Sequence, residues 1–242
     1  MQTQAPGRPS QSAGVGATAY ARDPANRLLA RGPRGRLPAE QIRDNALAIG
    51  GLLSPKFGGP SVYPPQPAGI LEEKGQLQYH PVWITSNGED RYRRGLYVYW
   101  KRMNLYPSLA TFGATTRERC TVKRPISNTP LQALVLLNDP VFVEAARALG
   151  RRILADAGPD PSARIDYAHL RCLGRPATTD EQSRYKQFVR VQTEQFAADP
   201  EQATEWIDAD RSTTAEDSVA SRAAWTLLAA TLLNLDETIS KP

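Results

Sequence analysis

The stretch Thr129-Pro130-Leu131-Gln132, followed a few residues later by Asn138-Asp139-Pro140, decides the fold of this chain. In both, a side chain that accepts hydrogen bonds precedes a proline, which is favoured as the first residue of a helix because its missing N–H has no partner there. Thr129 and Asp139 are therefore predicted to cap two successive helices. Gln132 is predicted to reach back toward Thr129 and complete a capping box. The two helices meet at a tight corner.

Apolar residues at spacings of three or four predict helices on both sides of this corner. The first corner helix is short and apolar and runs to residue 137, and the second has its buried stripe at Phe142, Ala145, Ala146, Leu149 and Ile153. Further helices are predicted over residues 39–53, 162–173, 179–197 and 218–235. The helix at 179 is opened by Thr178, with Glu181 three residues on. This spacing is typical of a capping box.

One segment is ambiguous. Residues 88–103 hold aromatic and aliphatic side chains among arginines, and their spacing fits a helix better than a strand. The alternation of Leu96, Val98 and Trp100 also permits a short strand, and periodicity does not arbitrate in so short a run.

The prolines and glycines define the irregular parts of the chain. The 242 residues include 20 prolines and 17 glycines, and these concentrate in residues 1–37, predicted to be an extended arm, and in residues 54–82, predicted to be a long wrapping loop. The fold class is therefore mainly α. We expect a helical bundle-like domain over residues 38–242, with a subdivision near residue 158 as the alternative.

The charge is unevenly distributed. Of 30 Lys and Arg against 25 Asp and Glu, residues 1–150 hold 19 against 10 and residues 151–242 hold 11 against 15. The basic excess is strongest over residues 91–124, at Arg91, Arg93, Arg94, Lys101, Arg102, Arg117, Arg119, Lys123 and Arg124. Such a patch could attract phosphate, sulfated glycan or nucleic acid. The alternative is a solvated surface whose arginines pair with the acidic C-terminal part or cap helix ends. Nucleic-acid binding rests on charge alone and is disfavoured.

Several functional classes lack their sequence signals. The two cysteines, Cys120 and Cys172, show no CxxC or CxxCH spacing, so no metal site and no cofactor is predicted in this chain. Residues 1–20 lack the apolar core of a signal peptide, and no run approaches the roughly 18 apolar residues of a membrane span.

Polar side chains gather around the two helix starts of the opening stretch. The candidate ligand-binding residues are Lys101, Arg102, Arg117, Cys120, Arg124, Asn128, Asn138 and Asp139. Helix N-termini with nearby arginines favour anions, so the sequence predicts a polar cleft for an anionic or polyhydroxylated ligand. The alternative is that Asn128, Thr129 and Asp139 are caps and that the arginines hold loops.

A cysteine nucleophile is a separate hypothesis. The basic neighbours of Cys120 would favour its thiolate, and His80 or His169 could approach it in space. A lone cysteine is more often inert than reactive.

Several segments of the chain resemble one family. They are 26–33, 36–40, 42–47, 58–62, 93–97 with 100–102, the long run 120–140 from Cys120 to Pro140, and the closing 232–238. These resemble the planctomycete-type PSD family, domain of unknown function 1553, over about residues 20–235. The chain departs from the family in the segment 112–116, which has no acid where members often carry Asp, and it lacks the family's upstream domains.

The resemblance implies a helical fold, a periplasmic or cell-envelope location, and a companion c-type cytochrome domain elsewhere in a longer polypeptide. It implies no reaction, and the residues do not decide whether the chain is an enzyme. We interpret the chain as a noncatalytic interaction or structural module of a bacterial envelope assembly, with a glycan as a further candidate partner. The alternative is a catalytic domain of unfamiliar type acting on carbohydrate or another anionic or polyhydroxylated substrate.

Overall fold

The computed structural model describes residues 21–25, 27, 35–67, 83–101, 105–207 and 217–241, and this part of the chain is mainly helical, as predicted. Its helices are α1 (Ala39–Gly50), α2 (Pro107–Thr111), α3 (Pro130–Asn138), α4 (Pro140–Asp156), α5 (Pro161–Leu173), α6 (Thr179–Ala198), α7 (Pro200–Glu205) and α8 (Val219–Leu233). Two short strands, β1 (Gly35–Arg36) and β2 (Ser240–Lys241), pair antiparallel. The end of the predicted arm is thereby joined to the last residues of the chain.

The capping side chains lie where the sequence predicts them. Thr129 Oγ1 accepts the N–H of Gln132 at 3.4 Å, and Asp139 Oδ1 accepts the N–H of Val141 at 3.0 Å. Thr178 and Glu181 form a reciprocal capping box at the start of α6. The capping box predicted for Gln132 is wrong, because its Oε1, which would accept the N–H of Thr129, accepts no hydrogen bond from the described residues. Its Nε2 donates to the carbonyl of Thr111 at 2.9 Å.

The helix predicted over residues 88–103 is also wrong. The described part of this segment forms two 3₁₀ turns, Gly88–Tyr92 and Gly95–Tyr97, followed by a single parallel bridge between Val98 and Val62. Its carbonyls accept hydrogen bonds from distant parts of the chain, so they are not available for a helix. Ser54 N donates to the carbonyl of Tyr92 at 3.0 Å.

Two buried arginines fasten this irregular segment to α1. Arg43 and Arg93 are 1% and 0% exposed. The Arg43 guanidinium donates to the carbonyl of Arg93 at 2.5 Å and to that of Arg91 at 3.1 Å. Arg93 in turn donates to the carbonyls of Gly58 and Pro60. Residues 58–60 of the loop are thus held to α1 through the 3₁₀ segment.

The helical core is centred on α4 and α8. α4 packs against α8 and α1, and α8 also packs against α6. Leu149, Ile165 and Leu228, each 0% exposed, belong to one buried cluster, so side chains before and after residue 158 share it. None of the helices in the described ranges is long and apolar enough to cross a membrane.

Close packing of α4 on α8 depends on Gly150. A methyl group there would lie 2.7 Å from Thr226 Oγ1 and 3.0 Å from Thr226 Cα. That hydroxyl already donates to the carbonyl of Arg222 at 2.9 Å, which limits how far it can move.

We expect Gly150→Ala to lower the free energy of unfolding by roughly 1–2 kcal/mol through overpacking, although alanine in a helix interior otherwise gains about 1 kcal/mol over glycine. Urea denaturation measures the change. The matched control is Gly35→Ala, where an added methyl group would meet nothing within 4 Å. A Gly150→Ala protein as stable as the parent would contradict the close approach.

A second expectation concerns Arg93. Replacing it with methionine removes the hydrogen bonds to the Gly58 and Pro60 carbonyls and the contact of the buried guanidinium with the Tyr97 ring, so we expect a loss of roughly 2–4 kcal/mol in unfolding free energy. Arg184→Met is the control, because the Arg184 side chain is 77% exposed and forms an ion pair with Asp180 one turn away. Equal losses in the two variants would refute a special role for the buried guanidinium.

Candidate functional site

The predicted polar-cleft residues occupy several different surroundings. Arg117 lies over the ring of Trp100, with its Cζ 4.3 Å from the centroid. Asn138 is exposed and donates to the carbonyl of Leu134 at 2.8 Å. Asp139 is 4% exposed at the start of α4. Lys101 is partly buried, Cys120 and Asn128 are exposed, and Arg102 lies outside the described residues.

Arg124 is the one described member of that set that lines the cavity introduced below. Its guanidinium makes two hydrogen bonds to the Glu40 carboxylate, at 2.6 and 3.0 Å. Burial raises the pKa of Glu40, but the hydrogen bond and charge of Arg124 outweigh it and hold that pKa below its usual range. Ligand binding by the predicted set stays a prediction.

The arginines of the basic segment pair within their own part of the chain. Arg91 binds Glu144, as Arg124 binds Glu40, and both acids precede residue 151. Arg175 lies in the acidic C-terminal part and pairs there with Glu181 and Glu237. The predicted pairing across the two parts is therefore wrong for Arg91 and Arg124, because α1 and α4 bring acids from the first part next to them.

The structure does not bring Cys120 to His169. The His169 ring is 0% exposed, and neither of its nitrogens has a hydrogen-bond partner among the described residues. The ring lies against Tyr185, and burial lowers the pKa of His169. Cys120 is exposed. His80, the other predicted partner, lies outside the described residues.

A cavity of about 180 Å³ opens between the start of α1 and the loop that leads into α3. Its walls come from β1 and α1, the end of α2, the loop at residues 123–127 and the first turn of α3. The lining residues are Arg36, Leu37, Pro38, Ile42, Phe112, Lys123, Arg124, Pro125, Ile126, Ser127 and Gln132. Six of these are aliphatic, proline or aromatic, and three are basic.

Two contacts hold the walls of this cavity together. The Arg124–Glu40 pair ties the 123–127 loop to α1. On the other side, Gln132 Nε2 donates both to the carbonyl of Thr111 at 2.9 Å and to Ser127 Oγ at 3.1 Å. Gln132 therefore joins α2, the loop and α3 at one point.

Two buried polar atoms of the lining residues have no hydrogen-bond partner in the described chain. Gln132 is 2% exposed and its Oε1 accepts no hydrogen bond. The Arg36 side chain is 10% exposed, with Nη1 3.6 Å from Asp236, and its Nε likewise has no partner. Burial lowers the pKa of Arg36. A buried polar group without a partner is destabilising, so these atoms favour a ligand that supplies one.

An exposed apolar patch adjoins the cavity. We define it as Ile126, Leu131 and Leu134, which are 68%, 58% and 55% exposed. Leu131 and Leu134 are three residues apart, so they lie on one face of α3. Ile126, in the loop before α3, lines the cavity together with Gln132, which follows Leu131 in the first turn of the helix. α3 thus buries Gln132 together with Leu136 and exposes two leucines, whereas an ordinary surface helix turns most of its apolar side chains toward the core.

Arg36, Lys123 and Gln132 line the cavity but are not among the candidate ligand-binding residues predicted from the sequence. In that prediction Lys123 belongs to the basic segment and Gln132 to a helix cap. A signal for Gln132 was present, since it is the single polar residue in the apolar run 131–137. Arg36 had no such signal, because its position depends on the pairing of β1 with the distant β2.

Comparison with known proteins gives the family. PSD1, described as a protein of unknown function (DUF1553), matches residues 10–189. The chain belongs to this family. No curated protein and no solved structure matches the chain. The stretch matched by PSD1 includes every lining residue of the cavity and the whole apolar patch.

Within this PSD1 chain, Asp139 has an unusual acidity. It caps α4, and burial raises the pKa of Asp139 to about 6, although the N–H of Val141 and the charge of Arg43 favour the ionised form. A folded-state pKa above the unfolded value of about 3.9 means that this group favours the folded state at low pH. That contribution is lost as the pH rises through about 6.

We expect Asp139→Asn to gain stability relative to the parent as the pH rises from 4 to 7, because asparagine caps a helix about as well as aspartate and has no charge to bury. The gain should reach roughly 2–3 kcal/mol. Urea denaturation of both proteins at pH 4, 5.5 and 7 measures it. A stability difference that is the same at all three values would show that Asp139 titrates normally.

Proposed function

We propose that the chain is a noncatalytic interaction module that binds a partner protein through the apolar patch and the cavity beside it. The observation that carries this is the orientation of α3, which exposes Leu131 and Leu134 while Gln132 is buried. Contiguous exposed apolar side chains next to a groove are typical of protein interaction sites. A partner that covers them would recover apolar burial that the free chain lacks.

The charges around the patch favour an acidic partner. Lys123 and Arg124 line the adjoining cavity, and Arg119 is exposed on the same loop. A second copy of the chain, packed symmetrically, would bring the same basic groups face to face. The proposal therefore commits to a different protein, one that presents apolar side chains flanked by acids.

The family resemblance supplies a candidate for that partner. The c-type cytochrome domain that the resemblance implies, in a periplasmic or envelope setting, is the partner we propose. The roles of the polar residues support the noncatalytic form of this proposal. Thr129 and Asp139 cap helices, and Arg124 holds a loop. The alternative, catalysis on a carbohydrate, stays a prediction, as does a glycan partner.

Photo-crosslinking tests the proposal. Benzoylphenylalanine is placed at Leu134 and, as the matched control, at Leu170, a leucine of α5 that is 53% exposed. Both proteins are produced in the source cells and irradiated. We expect a discrete adduct from position 134 that stains for covalent haem, and none from position 170.

Each other outcome has a definite meaning. No adduct at position 134, or equal adducts at both positions, would overturn the proposed docking face. A discrete adduct without haem would keep the interaction module and overturn the cytochrome partner.

A further inference from the structure

The cavity beside the apolar patch is larger than an ordinary water site. Its volume is about 180 Å³, whereas a single buried water needs roughly 10–15 Å³ of such space. Most of its lining is apolar, with a few fixed polar groups. That composition is typical of sites for organic ligands or for side chains of a bound peptide.

The unpaired polar atoms define what such a ligand must offer. The Gln132 side-chain nitrogen donates one hydrogen bond to the carbonyl of Thr111 and one to Ser127 Oγ. These two bonds fix the orientation of the amide group. Its Oε1 then requires a donor, and the Nε of Arg36 requires an acceptor. A peptide unit supplies one N–H and one carbonyl.

The charges of the lining residues restrict the chemistry of the ligand further. Arg36, Lys123 and Arg124 all line the cavity, and none of the described lining residues is acidic. The Arg124 guanidinium is already paired with the Glu40 carboxylate. Lys123, which is exposed at the rim of the cavity, is therefore the basic group that can pair with a charge of the ligand. A carboxylate side chain next to an apolar one matches this arrangement.

We propose that the cavity binds an extended peptide segment in which apolar and acidic residues are adjacent, with a backbone N–H donated to Gln132 Oε1 and a carboxylate facing Lys123. This inference rests on the proposed function, because the segment belongs to the partner that covers the apolar patch. The peptide backbone provides the hydrogen bonds, and the acidic side chain selects the segment.

A titration with model peptides tests the inference. The probes are acetylated Leu-Asp-Leu-Asp amide, its Leu-Lys-Leu-Lys counterpart, and a depsipeptide of the first in which ester oxygens replace the inner N–H groups. The readouts are the side-chain amide resonances of Gln132 and the methyl resonances of Ile42 and Ile126. We expect the acidic peptide to shift all three in a saturable way, and the lysine peptide to shift none.

The depsipeptide isolates the hydrogen bond. It keeps the shape and charge of the acidic peptide but lacks the donor for Gln132 Oε1, so its affinity should be about tenfold lower. Binding of equal strength would overturn the assigned role of Gln132 and reduce the cavity to a site of apolar adsorption.

Two charge-reversal variants test whether Lys123 pairs with the acidic side chain of the peptide. Lys123→Glu should weaken binding of the acidic peptide by about tenfold or more, whereas Lys186→Glu, the same change on the exposed face of α6, should leave it unchanged. Both sites are exposed, so thermal unfolding should confirm that both variants fold. Equal weakening in the two variants would show only a general charge effect and overturn the assignment of Lys123.

The two proposals can fail separately. If position 134 gives its adduct but no peptide shifts the cavity resonances, the apolar patch stands as an interaction site and the peptide-binding cavity is refuted. If the acidic peptide binds as described but position 134 gives no adduct, the cavity stands and the docking of a partner on α3 is refuted.

Discussion

Two buried guanidinium groups are the constraint on which the rest of this structure depends. The segment 54–67 is rich in proline and glycine, and prolines have no N–H to offer in a regular hydrogen-bond pattern. Its carbonyls still need donors when they are buried. One arginine presents five N–H donors in a fixed plane, so Arg93 can satisfy both Gly58 and Pro60. Arg43 does the same for the 3₁₀ segment.

The first turn of α1 links the 3₁₀ segment to the cavity. Asp44, next to Arg43 on α1, accepts the N–H of Gly95 at 2.6 Å, and a methyl group on Gly95 would lie 2.9 Å from Glu40 Cβ. The 3₁₀ segment therefore packs directly on the first turn of α1. Glu40 in that turn binds Arg124 and brings the 123–127 loop over α1. The cavity lies between this loop and the start of α1.

Local rules were enough to predict the two helices of the corner and α5, α6 and α8 downstream of it, but the short α7 was not predicted. Caps at Thr129, Asp139 and Thr178 depend on neighbours within three residues, so the sequence contains the whole signal. The helix predicted over residues 88–103 is wrong for the opposite reason. Its apolar spacing is helical, but its carbonyls accept hydrogen bonds from Arg43, which lies about fifty positions away, and no window of local sequence contains that partner.

The basic segment shows the same limit in the candidate site. Nine basic residues over 91–124 look alike in a sequence, and yet Arg93 is completely buried and Arg117 lies over an aromatic ring. Of the predicted polar-cleft residues that the structure describes, Arg124 alone lines the cavity. Whether an arginine holds a loop or faces solvent depends on which groups the fold brings close to it. A count of charges along the sequence does not give that information.

The orientation of α3 links the scaffold to the proposed interaction. An apolar helix has no strongly preferred inner face of its own, so its polar side chains help to decide which face is buried. Gln132 lies on the buried face and Asn138 on the exposed one. Gln132 satisfies the carbonyl of Thr111 and the hydroxyl of Ser127 only when it points inward. Turning α3 to bury Leu131 and Leu134 would gain at most about 1.5–3 kcal/mol per leucine. It would also break both hydrogen bonds of Gln132 and bring Leu136, now 3% exposed, toward the surface. The free chain therefore keeps these leucines outside, where they are available to the partner proposed above.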